Sequence, residues 1–261
     1  MPVFTFTDAQ LNGWIAAFLY PLVRILGLVA TAPPFSNAAM PRRIRLMLGL
    51  ALALGIAPVV PELPAIAPAS GIGLWMLLRE MLIGIGMGVS MRIVFAAIDM
   101  GSTIASFQMG LGFATFYDPQ NSSQTGVISN FLTLLATLLF LLMNGHLAYV
   151  SILAQSFSVI PIDPTPLAAS SWHYLALMGG RIFYIGLLLS LPLVVVLIIA
   201  NTALGILNRV APQLNLMAIG FPITLSMGFI GLMLILHYLP VPLERLFNDG
   251  LKAMLSFAML P

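Results

Sequence analysis

Six stretches of the chain are apolar almost without interruption, at about residues 14–32, 44–60, 72–98, 127–143, 181–200 and 216–239. Each approaches the roughly 20 residues that an α-helix needs to cross a hydrocarbon core. The apolar residues run on continuously instead of alternating between two faces, so the pattern predicts helices and excludes a β-barrel. Between them lie "TAPPFSNAAMPRR", "PVVPELPAIAPASG", "QMGLGFATFYDPQNSSQTG", "VIPIDPTPLAASS" and "NRVAPQLN", each supplying Pro or Gly where a helix should stop. The expected fold is an all-α integral membrane protein, with the last two segments forming a short helical hairpin around "NRVAPQLN".

Composition sharpens this. The 261 residues are 60% hydrophobic and 7% charged, against about 25% charged in soluble domains. Lys252 is the single lysine and no basic run could neutralise a phosphate backbone, which excludes nucleic acid as a partner. Without cysteine there are no disulfides and no thiolate metal sites. The first apolar stretch ends in Ala30-Thr31-Ala32, which resembles a signal-peptide cleavage site. Yet no Lys or Arg precedes it, Arg24 interrupts it and further apolar segments follow, so it reads as a retained helix. Arg42, Arg43, Arg45 and Arg209 place the first and fifth connections in the cytoplasm and the N-terminus outside, while Arg245 and Lys252 argue the opposite for the C-terminal end.

Some helix faces should pack on protein and not lipid. Asn130, Thr133, Thr137 and Asn144 fall within about 60° of one another on a helix of 3.6 residues per turn, a polar stripe. Gly220, Thr224 and Gly231 form a narrow ridge, and Gly84 and Gly88 make a small-xxx-small step that permits close backbone approach. Packing within the chain or against another subunit would satisfy all three.

Catalytic chemistry is not in view. His146, His173 and His237 are far apart, without metal-ligand spacing, and no nucleophile elbow, Walker loop or dinucleotide fingerprint is present. "GIGMG" at 84–88 lies inside an apolar helix and reads as packing. No catalytic, cofactor or metal residue is expected. Arg79, Glu80, Arg92 and Asp99 sit in or at the ends of the third segment, where charge is costly. The four balance, so they could pair inside the bundle or with a neighbouring subunit; alternatively Arg92 and Asp99, seven apart on one face, could line the path of a small-solute transporter. Arg24 needs a tertiary or quaternary partner. The related halves typical of many transporters are not visible.

In the third connection Gly110 and Gly112 free the backbone, Phe113, Phe116 and Tyr117 supply bulk, and Asp118-Pro119 sets a turn. The polar run that follows must meet water or a polar lumen. Such a segment can seal a pore as a displaceable apolar constriction or rest its aromatics at a membrane surface.

"APPFSNAAMPRRIR" at 32–45, "REMLIGIGMG" at 79–88, "QMGLGFATFYDP" at 108–119, "NGH" at 144–146 and "NRVAPQLNLMAIGFPITLSMGF" at 208–229, in this order, resemble the FliR family of flagellar export-gate proteins across essentially the whole chain. Counterparts of that family serve virulence type III secretion. The resemblance implies a subunit that joins copies of FliP and FliQ in a helical, conical channel of inclined hairpins. Its place would be the bacterial inner membrane, at the centre of the flagellar basal body and raised towards the periplasm. It implies FlhA and FlhB as further partners and unfolded flagellar proteins as cargo. It divides the chain into a FliP-like part, residues 1–175, and a FliQ-like hairpin with C-terminal tail, residues 176–261. It makes Met109, Gly110, Leu111, Gly112, Phe113, Ala114, Thr115, Phe116, Tyr117 and Asp118 the pore plug. The implied protein is no enzyme and has no cofactor. Arg24 and the stripe from Asn130 to Asn144 further suggest a chain that is not stable alone, since these groups would lack partners in lipid.

Overall fold

The computed structural model describes residues 7–61, 64, 66–111, 126–211 and 216–259, all of them helix, turn or connection, with no strand among them. The α-helices are α1 (Asp8–Thr31), α2 (Arg42–Ile56), α3 (Gly71–Gln108), α4 (Val127–Leu142), α5 (Gly145–Val159), α6 (Ala169–Val210), α7 (Leu216–Leu236) and α8 (Pro240–Met259). Three of them, α1, α3 and α6, are individually long and apolar enough to cross a membrane; α4 with α5 and α7 with α8 could each supply one more as a broken span. The chain is an all-α integral membrane protein.

All six apolar stretches are helical, but α3 and α6, at 38 and 42 residues, outrun the windows that announced them. Two further helices were not anticipated. α5 carries Ser151, Gln155, Ser156 and Ser158, which dilute its apolar pattern, and α8 is amphipathic: Phe247, Gly250, Ala253, Met254 and Phe257 are buried while Glu244, Arg245, Asp249 and Lys252 are exposed.

The chain divides into two compact units, one within residues 1–93, 144–179 and 247–261, the other within 94–143 and 180–246. In the first, α1 and the start of α3 cross almost backbone to backbone. A Cβ on Gly27 would lie 2.7 Å from the Met81 carbonyl oxygen, and one on Gly84 would overlap the Arg24 carbonyl. One on Gly88 would overlap the Thr31 hydroxyl, which instead donates to Gly27 O at 2.8 Å. The small-xxx-small step therefore serves packing within the chain. Elsewhere in this unit the Tyr149 hydroxyl donates to Pro33 O at 2.6 Å, and the buried Phe257 ring occupies the space beside Gly86.

In the second unit α6 and α7 form the expected hairpin. Leu193 meets Gly231 and Leu204 meets Gly220, so a later residue on one helix faces an earlier one on the other, the register of antiparallel neighbours. Ala105, Met109, Ile128, Leu132, Leu193, Leu197 and Leu232 form its buried core. Gly101 and Gly186 bring α3 and α6 together, a Cβ on Gly101 falling 2.7 Å from Gly186 O.

Candidate functional site: a hairpin tip and a buried charge cluster

The third connection joins α3 and α4, which form a helical hairpin in the second unit. Ser106 lies beside Gly126, the hydroxyls of Thr103 and Ser129 are 3.1 Å apart, and the rings of Phe95 and Phe140 meet edge to face at 6.0 Å. These pairs run antiparallel along α3 and α4, so the connection bridges two adjacent helix ends.

Its first residues form a defined stop. Leu111 N–H donates to Ser106 O at 3.2 Å and Gly110 N–H to Phe107 O at 3.0 Å, the paired bonds of a Schellman motif. This geometry needs a left-handed residue, and Gly110 supplies it with φ 83°. Met109 is fully buried, and its side chain fills a notch on α7 left by Gly228, where a Cβ would lie 2.5 Å from Met109 Cγ. Gly110 lies against Phe221 and Thr224, and Leu111 packs on the unit's core. Gly112, Phe113, Ala114, Thr115, Phe116, Tyr117 and Asp118 lie outside the described residues.

The second feature is a charge cluster inside the first unit. Arg24 and Glu80, both with no exposed surface, pair at 2.6 Å. Arg24 also donates to Ser156 O at 2.9 Å, to the Ser156 hydroxyl at 3.1 Å and to Ile160 O at 2.9 Å, and it stacks 4.3 Å above the Phe157 ring. These carbonyls belong to the C-terminal turn of α5, where the helix dipole favours a cation. Arg79 pairs with the other Glu80 oxygen at 3.1 Å and with Asp163 at 3.1 Å, and donates to Pro161 O at 3.0 Å. The cluster thus joins α1, α3, the end of α5 and the segment after it with two cations and two carboxylates.

Arg24 finds its partners within the chain, which removes it as a reason for the chain to need other subunits. The balanced group is Arg24, Arg79, Glu80 and Asp163; Asp163 was not singled out in the sequence, where it looked like one more turn residue before a proline. Arg92 is exposed and Asp99 half-buried, and neither makes an ion pair among the described residues. On α4 the face packed within the chain is Ile128, Ser129, Leu132, Ala136 and Phe140. The polar stripe flanks it: Asn130 and Asn144 are exposed, and Thr137 donates back to Thr133 O at 2.7 Å.

Residues 15–250 match the family described as Bacterial export proteins, family 1. The flagellar biosynthetic protein FliR of Pectobacterium carotovorum subsp. carotovorum is 43% identical, over 94% of this chain and 94% of its own. FliR of Escherichia coli (strain K12) is 41% identical over 93% of both chains, and FliR of Bacillus subtilis (strain 168) 27% identical over 94% of this chain and 95% of its own. The chain belongs to the FliR family of bacterial export proteins.

Four of the five stretches that suggested the FliR family now have a structural meaning. "REMLIGIGMG" carries the Arg79–Glu80 pair and the two glycines that face α1. "QMGL" is the Schellman stop of α3, and "NGH" places Asn144 at φ 57°, the left-handed turn between α4 and α5. The last stretch contains Gly228, which receives Met109.

Proposed function

We propose that this FliR-family chain is a non-enzymatic core subunit of a flagellar type III export gate, conducting unfolded flagellar proteins out of the cytoplasm. It would assemble with FliP and FliQ in the inner membrane, at the centre of the basal body, with FlhB and FlhA as further partners. The observation that carries this reading is end-to-end similarity to proteins named flagellar biosynthetic protein FliR, joined to a hairpin whose α3 end is fixed at Met109 and Gly110.

The tip suits a plug in physical terms. Gly110 terminates α3 sharply and Met109 ties that end to α7, so the chain is anchored up to Leu111, two residues before Phe113. An apolar constriction on such a mount can block ions and water and still be displaced by cargo. In the division we favour, residues 1–175, which include the first turns of α6, are FliP-like, and the rest of α6 with its antiparallel partner α7 belongs to a FliQ-like part at 176–261. The exposed Asn130 and Asn144, with Thr133 and Thr137, then face a neighbouring subunit, as do Arg92 and Asp99, because uncompensated polar groups do not face lipid.

Ion leakage through an assembled gate tests the plug. Replacing Phe113 and Phe116 by alanine should raise leakage; unchanged leakage together with unchanged export would remove the plug assignment.

A further inference from the structure

The outer face of α2 has a composition that neither the fold nor the export reading uses. Arg43, Met47, Leu50 and Leu54 recur at i, i+4, i+7 and i+11, within about 60° on a helix. Met47 and Leu54 are 69% and 68% exposed, while Gly49, Ala53 and Ile56 on the other side are buried, Gly49 against Leu26 of α1. Arg42 and Arg43 are exposed at the start of this helix. Arg45 is engaged differently, donating to Asn37 O at 2.5 Å.

Among the described residues no ion pair neutralises Arg42 or Arg43. No Asp or Glu occurs between Asp8 and Glu62, and the ion pairs among the described residues all belong to the Arg24, Arg79, Glu80 and Asp163 cluster. At 15 residues α2 is also shorter than a membrane span. Two exposed cations with no ion pair among the described residues, followed by a strip of exposed aliphatic side chains, complement a negatively charged headgroup followed by an acyl chain.

We propose that the outer face of α2 binds an anionic phospholipid, with its phosphate at Arg42 and Arg43 and an acyl chain along Met47, Leu50 and Leu54. The site rests on residence in a membrane and stands apart from the export-gate reading.

Native mass spectrometry of the full-length chain in neutral detergent tests this, with phosphatidylglycerol and phosphatidylcholine of identical acyl chains offered together. The chain should retain phosphatidylglycerol selectively. Arg42→Gln with Arg43→Gln should weaken that retention roughly thirtyfold, Arg42→Lys with Arg43→Lys should preserve most of it, and Arg209→Gln, which removes an exposed charge elsewhere, should leave it unchanged. Equal retention of the two lipids, or equal loss in the Arg209 variant, would overturn the site. Displacement of the lipid by glycerol phosphate alone would make it a phosphate site and not a lipid one. Lack of headgroup selectivity, with Arg42 and Arg43 shielded from an arginine-modifying reagent only after co-expression with other subunits, would assign the face to an acidic protein and overturn the proposal. Should the glutamine variant aggregate, the selectivity of the unaltered chain and of the lysine variant decides the matter.

Discussion

Replacing Glu80 by alanine should destabilise the first unit more than any other single change in the charge cluster. Glu80 offers one oxygen to Arg24 and the other to Arg79, so its removal leaves Arg24 fully enclosed without a directly paired counter-charge. Arg79 keeps Asp163 and Pro161 O; Arg24 keeps only the neutral acceptors at Ser156 and Ile160 and the Phe157 ring. Breaking a buried pair by removing one partner costs about 3–5 kcal/mol. At roughly 2–4 °C per kcal/mol for a chain of this size, the unfolding midpoint should fall by about 6–20 °C. Trp75 is a built-in reporter, because its indole N–H donates at 3.0 Å to Pro164 O in the segment that Arg79 holds. Tryptophan fluorescence of the purified chain in detergent, with Trp14 and Trp172 replaced by phenylalanine so that Trp75 alone reports, followed against temperature, reads both the midpoint and the release of that segment. The paired replacement of Arg24 by methionine and Glu80 by leucine removes both charges and should recover about half of the loss or more. A drop under about 2 °C for Glu80→Ala, against the several degrees expected of a broken buried pair, would refute the reasoning. So would a double variant as unstable as the single one.

Gly84→Leu should disrupt the crossing of α1 and α3 outright, since even a Cβ there overlaps the Arg24 carbonyl; detergent-stable yield is the readout. Gly110→Val should cost about 1–2 kcal/mol for forcing a left-handed backbone on a branched residue, and Gly110→Asn less, with ion leakage through an assembled gate rising in the same order. Gly228→Leu should expel Met109 from its notch and raise leakage without altering the charge cluster, which Trp75 fluorescence would verify. Asn144→Gly should leave thermal stability nearly unchanged, whereas Asn144→Val should lower it, because the turn sits at φ 57°.

The apolar runs announced the membrane helices because continuous hydrophobicity is a local signal. Where a helix is held by its neighbours, the signal fades. The polar stretch after Ile98, beginning with Asp99, looked like an exit from the third segment, yet α3 continues to Gln108 with Ser102 and Ser106 buried against the rest of its unit. The helix of α5, which follows the turn at Asn144, and the amphipathic α8 were missed for the same reason. Arg24 announced that it needed a partner, but its carboxylate lies 56 residues away and its Ser156 carbonyl 132 away, separations that no local pattern encodes. The stop of α3 was legible in part: glycine at position 110 promised a turn, while the fit of Met109 against Gly228 depends on a helix more than a hundred residues later. Of the stripe, Asn130, Thr133 and Thr137 lie on α4 while Asn144 falls in the turn beyond its end, and helical periodicity cannot distinguish a face packed within the chain from a face beside it.

The central claim is that this chain acts inside an export gate. The most direct measurement is the intact mass and composition of the particle recovered on a tagged copy co-expressed with its genomic neighbours and extracted in detergent. The account predicts a large complex containing FliP-like and FliQ-like chains. A stable monomer or homodimer free of both would contradict it.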